Sequence, residues 1–147
     1  MQTPAPDFDL ERYLPYRLTV IAGRLSAEIA RQYKARFGIS LPEWRVLLNV
    51  GHAENLSIRD IEKRADLEKS KVSRAASKLE AKGYLRKHVD ARDKRLLQLS
   101  LTEEGRQLLD ALIPIAAAFQ ADLDARLGGH RDALHEALDR LLPAEEA

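Results

Sequence analysis

The segment HVDARDKRLLQLSL, residues 88–101, predicts a hairpin with a highly charged tip. Within it, DARDKR (90–95) holds five charges and one alanine, and LQLSL (97–101) alternates leucine with polar residues. Alternation with a period of two is typical of a half-buried strand, and YLRKHV (84–89) supplies a second short extended segment. A hairpin can close on a simple Asn-Gly turn, so this much charge at the tip indicates a role in binding.

The charge along the chain is uneven although the net charge is only +1. Residues 57–95 carry 13 Lys/Arg against 7 Asp/Glu, whereas residues 96–147 carry 4 against 10 and residues 1–56 are nearly neutral. A basic middle between neutral and acidic flanks predicts a polyanion-binding module. The alternative is that these charges only form the solvated faces of short helices.

Composition excludes several classes of protein. A chain of 147 residues fits one domain, or a small core plus a dimerisation element. It has no apolar run near the ~20 residues that a membrane span needs. The N-terminal MQTPAPDFDLER lacks the features of a signal peptide. The absence of cysteine excludes disulfides, thiolate metal sites and thiol redox sensing. We expect a bacterial-type cytoplasmic protein.

The residues before the hairpin predict one long helix and three short ones. Apolar residues recur at three- and four-residue steps over residues 9–37, and Gly38 is a typical stop. SLPE (40–43) is a capping box that opens a helix to about residue 52. Ser57 and Asp60 form a weaker box before IRDIEKRA, and a third short helix covers about 68–82.

After the hairpin, the pattern predicts two more helices. Thr102 precedes two glutamates and starts a long helix, in which Pro114 predicts a kink or a break. GGH (128–130) separates this helix from a final amphipathic one that carries Leu134, Leu138 and Leu141.

The predicted fold is mostly α with a small β-hairpin wing. Two short helices joined by a tight turn, the second of them basic, and then a charged hairpin predict a winged helix-turn-helix lobe at 40–101. Residues 9–37 and 102–142 would form a helical dimerisation region. Their apolar stripes have no partner inside so small a domain, so a second copy is expected to cover them.

Four motifs carry a resemblance to a known family: LPEWRVLLNV (41–50), VSRAASKLEAKGYLRK (72–87), DARDKR (90–95) and LTEEGR (101–106). Their order and spacing resemble the MarR family of winged helix-turn-helix transcription regulators over about residues 10–142. The resemblance implies a homodimer that binds a palindromic operator in double-stranded DNA, represses genes and is released by a small ligand.

The third short helix is the predicted recognition helix. Val72, Ala75, Ala76 and Leu79 fall on one apolar face. Hydroxyls and bases near a helix N-terminus suit contacts with phosphates and base edges. Arg74 is the candidate for base readout, and Arg86 follows as a backbone contact. The full set of candidate helix contacts is Ser70, Lys71, Ser73, Arg74 and Lys78.

The charged tip is the predicted wing. Arginine suits a narrow groove with a negative potential, so Arg92 and Lys94 are the candidate tip contacts. Asp90 and Arg95 flank the turn, and we expect them to pair across its base and fix its shape, as similar residues do in the family. The alternative is a solvated turn with a surface ion pair.

A ligand site is also implied, because the family places ligands between the dimerisation helices and the DNA-binding lobe. Aromatic walls with a cation would suit an organic anion, such as a phenolic acid or its thioester. The alternative is that the aromatic residues are ordinary packing residues. The candidates are Tyr13, Tyr16, Arg17, Trp44, Arg45 and His52.

No metal site, cofactor site or catalytic group is predicted. His130 and His135 are five residues apart, which does not suit one helix face, and no cysteine completes a ligand set. No phosphate-binding glycine loop and no nucleophile motif is present. Three function classes remain: a ligand-responsive repressor, a regulator controlled by abundance or by a protein partner, and a winged helix used for protein contacts, which the basic residues disfavour. An enzyme is the remote fourth option.

Overall fold

A computed structural model describes residues 7–53, 56–65, 67–95 and 97–142. The chain divides into two compact units, which meet in sequence between Leu41 and Pro42.

The first unit is dominated by one long helix, α1, Leu14–Phe37. A short 3-10 turn, Leu10–Arg12, precedes it, and Asp9 caps that turn by accepting a hydrogen bond from the N–H of Glu11. The prediction that the helix starts at residue 9 is therefore wrong. Pro15 lacks an N–H and is accommodated only in the first helical turn, so the α-helix begins just before it.

The end of α1 agrees with the prediction. Gly38 follows the helix with a φ of 66° and its N–H donates to the carbonyl of Lys34. This left-handed conformation is open to glycine at little cost, and it turns the chain out of the helix.

Three helices come next: α2 (Leu41–His52), which belongs to the second unit from Pro42 onward, α3 (Ile58–Ala65) and α4 (Lys69–Ala81). All three bounds agree with the prediction within about a residue. The capping box at α3 is complete, since the Asp60 N–H donates to Ser57 Oγ and the Ser57 N–H donates to Asp60 Oδ2, both at 3.1 Å. Apolar residues of the three helices contribute much of the core of the unit, with Val46, Leu47, Ile61, Val72, Ala76 and Leu79 fully buried.

The predicted hairpin is present as β2 (Leu85–Val89) and β3 (Leu97–Leu101), paired antiparallel with Lys87 opposite Leu99. A third strand that the sequence did not predict, β1 (Leu56–Ser57), pairs with the other edge of β3. Two residues are too short to show a period of two, so only the structure reveals this strand.

Two helices follow the sheet, α5 (Glu103–Leu127) and α6 (Arg131–Leu141), with a 3-10 turn at Gly128–His130 between them. Thr102 caps α5 as predicted, because its Oγ1 accepts a hydrogen bond from the N–H of Gly105 at 3.0 Å. Pro114 lies inside α5 and does not break it. The carbonyl that loses its helical donor belongs to Asp110, which is an exposed residue, so water can satisfy it.

Candidate DNA-binding surface

Helix α4 has one buried apolar face and one exposed polar face. Val72, Ala76 and Leu79 are fully buried and Ala75 is 4% exposed, as predicted from their spacing. The candidate contacts fall on the other face: Ser70, Lys71, Arg74 and Lys78 are exposed, and Ser73 is half-buried. The helix therefore presents hydroxyl, ammonium and guanidinium groups to solvent while its apolar side holds it to the core.

The C-terminal half of α4 is tied to its neighbours by charged groups. Lys82, just after the helix, forms an ion pair of 2.9 Å with Glu43 of α2, whose carboxylate is buried. On the sheet side, Lys87 Nζ donates to Ser77 Oγ at 2.8 Å and lies 3.7 Å from Glu80. The backbone N–H of Lys87 also donates to Glu80. These contacts fix the start of the hairpin against α4, and none of them was predicted from the sequence.

The turn between β2 and β3 is organised by the carboxylate of Asp90. Its Oδ1 accepts hydrogen bonds from the N–H groups of Arg92 at 2.6 Å and Asp93 at 3.2 Å. Its Oδ2 accepts from the side-chain amide of Gln98 at 2.7 Å, and the Gln98 carbonyl oxygen lies 3.2 Å from His88 Nε2. Asp90 thus closes the turn and connects it to both strands.

The predicted pair between Asp90 and Arg95 is wrong. Arg95 instead holds Asp93, with Nε donating to Oδ1 at 3.1 Å and Nη2 donating to Oδ2 at 3.3 Å. The Asp90 carboxylate is already engaged by the N–H groups of the turn and by Gln98, whereas Asp93 lies only two residues from Arg95 in sequence. Hydrogen bonds from the side chain and backbone of Arg95 lower the pKa of Asp93, and the positive charge of Arg59 adds to this effect.

The remaining candidate contacts are exposed. Arg92 and Lys94 lie in the turn, and Arg86 lies on β2. Because successive side chains of a strand point to opposite faces, Arg86 and Lys87 lie on opposite faces of the sheet. The exposed cations of the turn, together with the polar face of α4, make a surface that can attract phosphates.

The candidate ligand residues divide between the two units. Tyr13, Tyr16 and Arg17 belong to the first unit and are exposed, and the ring of Tyr13 lies 5.3 Å from that of Phe8. In the second unit the residues differ in burial: Trp44 is buried, Arg45 is half-buried and His52 is exposed. A ligand-binding role for these six residues stays a prediction.

The described part of the chain does not meet the requirements of a metal site or of a membrane-spanning helix. It contains no group of three or more His, Asp or Glu side chains placed to hold a metal ion. None of its helices is long and apolar enough to cross a bilayer.

Comparisons with known proteins place this surface in context. A family model described as the MarR family matches residues 37–96. The HTH-type transcriptional regulator SarZ of Staphylococcus saprophyticus is 31% identical over 113 residues, which are 75% of this chain and 75% of SarZ. A MarR family transcriptional regulator from Silicibacter pomeroyi has a TM-score of 0.76 and 30% identity, covering 95% of this chain and 94% of that one.

A second similar structure is that of BpsR from Bordetella bronchiseptica, whose DNA binding is regulated by 6-hydroxynicotinic acid. It is 21% identical, with a TM-score of 0.76 over 93% of this chain and 98% of that one. At this identity the likeness concerns the fold alone.

Proposed function

The chain belongs to the MarR family of DNA-binding transcription regulators, and we propose on this premise that it is a homodimeric repressor that a small organic ligand releases from its operator. Its relatives are regulators rather than enzymes, which confirms the prediction of a non-enzymatic protein. The repressor works in the cytoplasm, where its operator DNA lies.

The two-faced α4 is the observation that carries the DNA-binding mode. In a winged helix-turn-helix protein such a helix enters the major groove. Arg74 lies on the exposed face and has a planar fork that can donate to both O6 and N7 of a guanine. Lys71 and Lys78 hold phosphates on either side, Ser70 and Ser73 add hydroxyl contacts, and Arg86 contacts the backbone.

The wing supplies the second contact. Arg92 and Lys94 are exposed at the turn and enter the adjacent minor groove, where the negative potential favours cations. Asp90 shapes the turn through its hydrogen bonds with the turn backbone and Gln98, so that the two cations are presented in a defined position.

The homodimer is supported by apolar side chains that stay exposed in the single chain. Leu10, Leu14, Leu18 and Ile21 are 39–50% exposed at the start of the first unit. Leu134, Leu138 and Leu141 are 39–57% exposed on α6. A second copy covers both sets, which assigns residues 9–37 and 102–142 to dimerisation and leaves residues 40–101 to DNA binding. Two symmetric lobes then read a palindromic operator with half-sites ~10 bp apart.

A test of base reading uses Arg74. We expect Arg74→Ala to weaken a DNA site selected from a random pool by ~1–3 kcal/mol and to relax preference at one base pair per half-site. Fluorescence anisotropy with the selected site and with a random duplex measures both effects. Equal losses on the two duplexes would assign Arg74 to a phosphate instead, and no binding of the wild type to either would refute the function.

The proposed effector is a small organic anion, an aromatic acid or its thioester, bound by Tyr13, Tyr16, Arg17, Trp44, Arg45 and His52. The regulation of BpsR by 6-hydroxynicotinic acid makes this class of ligand the first to test. The alternative is a regulator without a small-molecule effector, controlled by abundance or by a protein partner.

A thermal-shift screen with phenolic and hydroxynicotinic acids separates these two forms of regulation. A ligand at about 100 times its Kd adds ~2.7 kcal/mol to the stability of the protein. An acid that stabilises the protein and also releases DNA supports the effector. If no acid in the panel changes the melting temperature or the DNA binding, the result favours a regulator without a small-molecule effector.

A further inference from the structure

A cationic cleft lies in the second unit where α3, the start of α4 and the base of the wing meet. Its volume is about 240 Å³. Each of the three elements contributes one cation, Arg59 from α3, Lys69 from α4 and Arg95 from the wing, and Glu62 of α3 contributes a carboxylate. The other residues around it are Ser57, Ile58, Ser73 and Leu97.

The grouping of these three cations cannot be predicted from the sequence pattern of any single element. Arg59 and Lys69 are exposed and Arg95 has a side chain that is 90% exposed, so none of them is needed for packing. Like charges that converge on one cleft repel each other unless an anion lies near. In the free protein Asp93 partly serves as that anion, because it binds Arg95 directly and its carboxyl feels the charge of Arg59.

The position of the cleft indicates which anion takes this place when DNA is bound. Ser73 is both a residue of the cleft and a neighbour of Arg74 on the polar face of α4. Arg95 ends the turn that carries Arg92 and Lys94. A major groove is separated from the adjacent minor groove by one sugar-phosphate strand. A duplex that takes α4 into the first groove and the wing into the second must lay that strand between them, where the cleft lies.

We propose that this cleft binds the DNA backbone phosphates that separate the two grooves, with Arg59 and Lys69 as the contact residues and Arg95 as a third cation beside them. The role rests on the DNA-binding function proposed above. Neither Arg59 nor Lys69 reads a base in this arrangement, so both contribute affinity without sequence preference.

The test measures how DNA binding depends on salt. Each phosphate contact contributes about 0.9 to the slope of log K against log salt for duplex DNA. We expect Arg59→Ala and Lys69→Ala each to reduce that slope by about 0.9 on a 30-base-pair random-sequence duplex, and to weaken the selected site and the random duplex by the same factor. Arg64→Ala is the matched control, since Arg64 is an exposed cation of α3 that does not line the cleft.

The outcomes distinguish a failure of the cleft proposal from a failure of the DNA-binding function. A wild type that binds neither duplex refutes the DNA-binding function itself. A wild type that binds with a normal slope, while Arg59→Ala and Lys69→Ala behave like Arg64→Ala, overturns the cleft alone. Inorganic phosphate provides a further arm: millimolar phosphate that raises the melting temperature of the wild type but not of Arg59→Ala, with DNA slopes unchanged, would mean that the cleft serves free anions and not DNA.

Discussion

At the scale of single residues, one carboxylate organises the turn of the wing. Asp90 accepts two hydrogen bonds from the turn backbone and one from Gln98. The sequence predicted that Asp90 shapes the wing, but it predicted the wrong partner. Which of two acids an arginine engages depends on the local backbone path, and residue type and spacing do not determine that path.

The role of Asp90 can be separated from simple charge effects. We expect Asp90→Ala to weaken DNA binding, because the turn loses its acceptor and the cations lose their fixed position. Coulomb's law alone predicts the opposite, since deleting an acid near DNA should tighten binding. Titration of a labelled, selected DNA site at constant salt distinguishes the two.

Asp90→Asn is the matched control for this measurement. It removes the same charge but keeps a carbonyl oxygen that can accept from the turn N–H groups. We expect it to bind DNA more tightly than Asp90→Ala. If both variants bound DNA with equal affinity, and more tightly than the wild type, the wing would act through its net charge and not through the shape of its turn.

A second residue-scale prediction concerns Tyr33, which is fully buried near the end of α1. Burial disfavours the phenolate and raises the pKa of Tyr33 to about 12 from 10.0. The folded state therefore holds the Tyr33 proton more tightly than the unfolded state does. The free energy of unfolding keeps its full value below pH 10 and falls as the pH rises from 10 towards 12, by up to ~1.4 kcal/mol per pH unit.

Denaturant unfolding between pH 9 and 12 measures this loss. The free energy of unfolding of Tyr33→Phe should fall less steeply with pH than that of the wild type, because phenylalanine has no proton to release. Tyr13→Phe changes an exposed tyrosine of the same unit and should follow the wild type. The prediction would be contradicted if the free energies of unfolding of the wild type and Tyr33→Phe fell equally between pH 10 and 12.

At the scale of elements, the connection between the hairpin and α5 depends on a close backbone approach. A Cβ added to Gly105 would overlap the backbone carbonyl of Tyr84, which also accepts a hydrogen bond from the N–H of Thr102. We expect Gly105→Ala to destabilise the protein by ~1–3 kcal/mol, as overpacking of a buried site does. Thermal unfolding measures the change.

Gly129→Ala is the matched control for Gly105→Ala, since a Cβ there meets nothing within 4 Å. Both substitutions lower the entropy of the unfolded chain alike, so the difference between them isolates the collision. A melting temperature of Gly105→Ala equal to that of Gly129→Ala would mean that the backbone adjusts at no cost.

The elements also show which structural features the periodicity of the sequence can predict. The four-residue buried face of α4 and the presence of β3 were predicted because each pattern repeats within its element, although Leu99 is the only leucine of β3 that is buried. β1 was missed because its two residues show no period, and the contacts of Lys87 with Ser77 and Glu80 were missed because they join separate elements. The cationic cleft belongs to the same class, since its cations come from three elements.

At the scale of the whole molecule, the exposed leucines of α6 allow a dimer to be distinguished from a monomer. Every residue of α6 is exposed in the single chain, and Leu134 and Leu138 are each 39% exposed. If a second copy covers them, a substitution removes buried apolar surface and costs roughly 2–5 kcal/mol for each leucine. If the chain is a monomer, exposed leucines can change with effects within about 0.5 kcal/mol.

We therefore expect sedimentation at micromolar concentration to give twice the chain mass of 16.6 kDa, with a melting temperature that rises with protein concentration. The double variant Leu134→Ser, Leu138→Ser should shift the protein towards monomer and remove that concentration dependence. Asp132→Ser, Asp139→Ser is the matched control, because it changes two exposed polar residues of the same helix. A wild type that sediments as a stable folded monomer would refute the dimer, and with it the expectation of a two-fold symmetric operator.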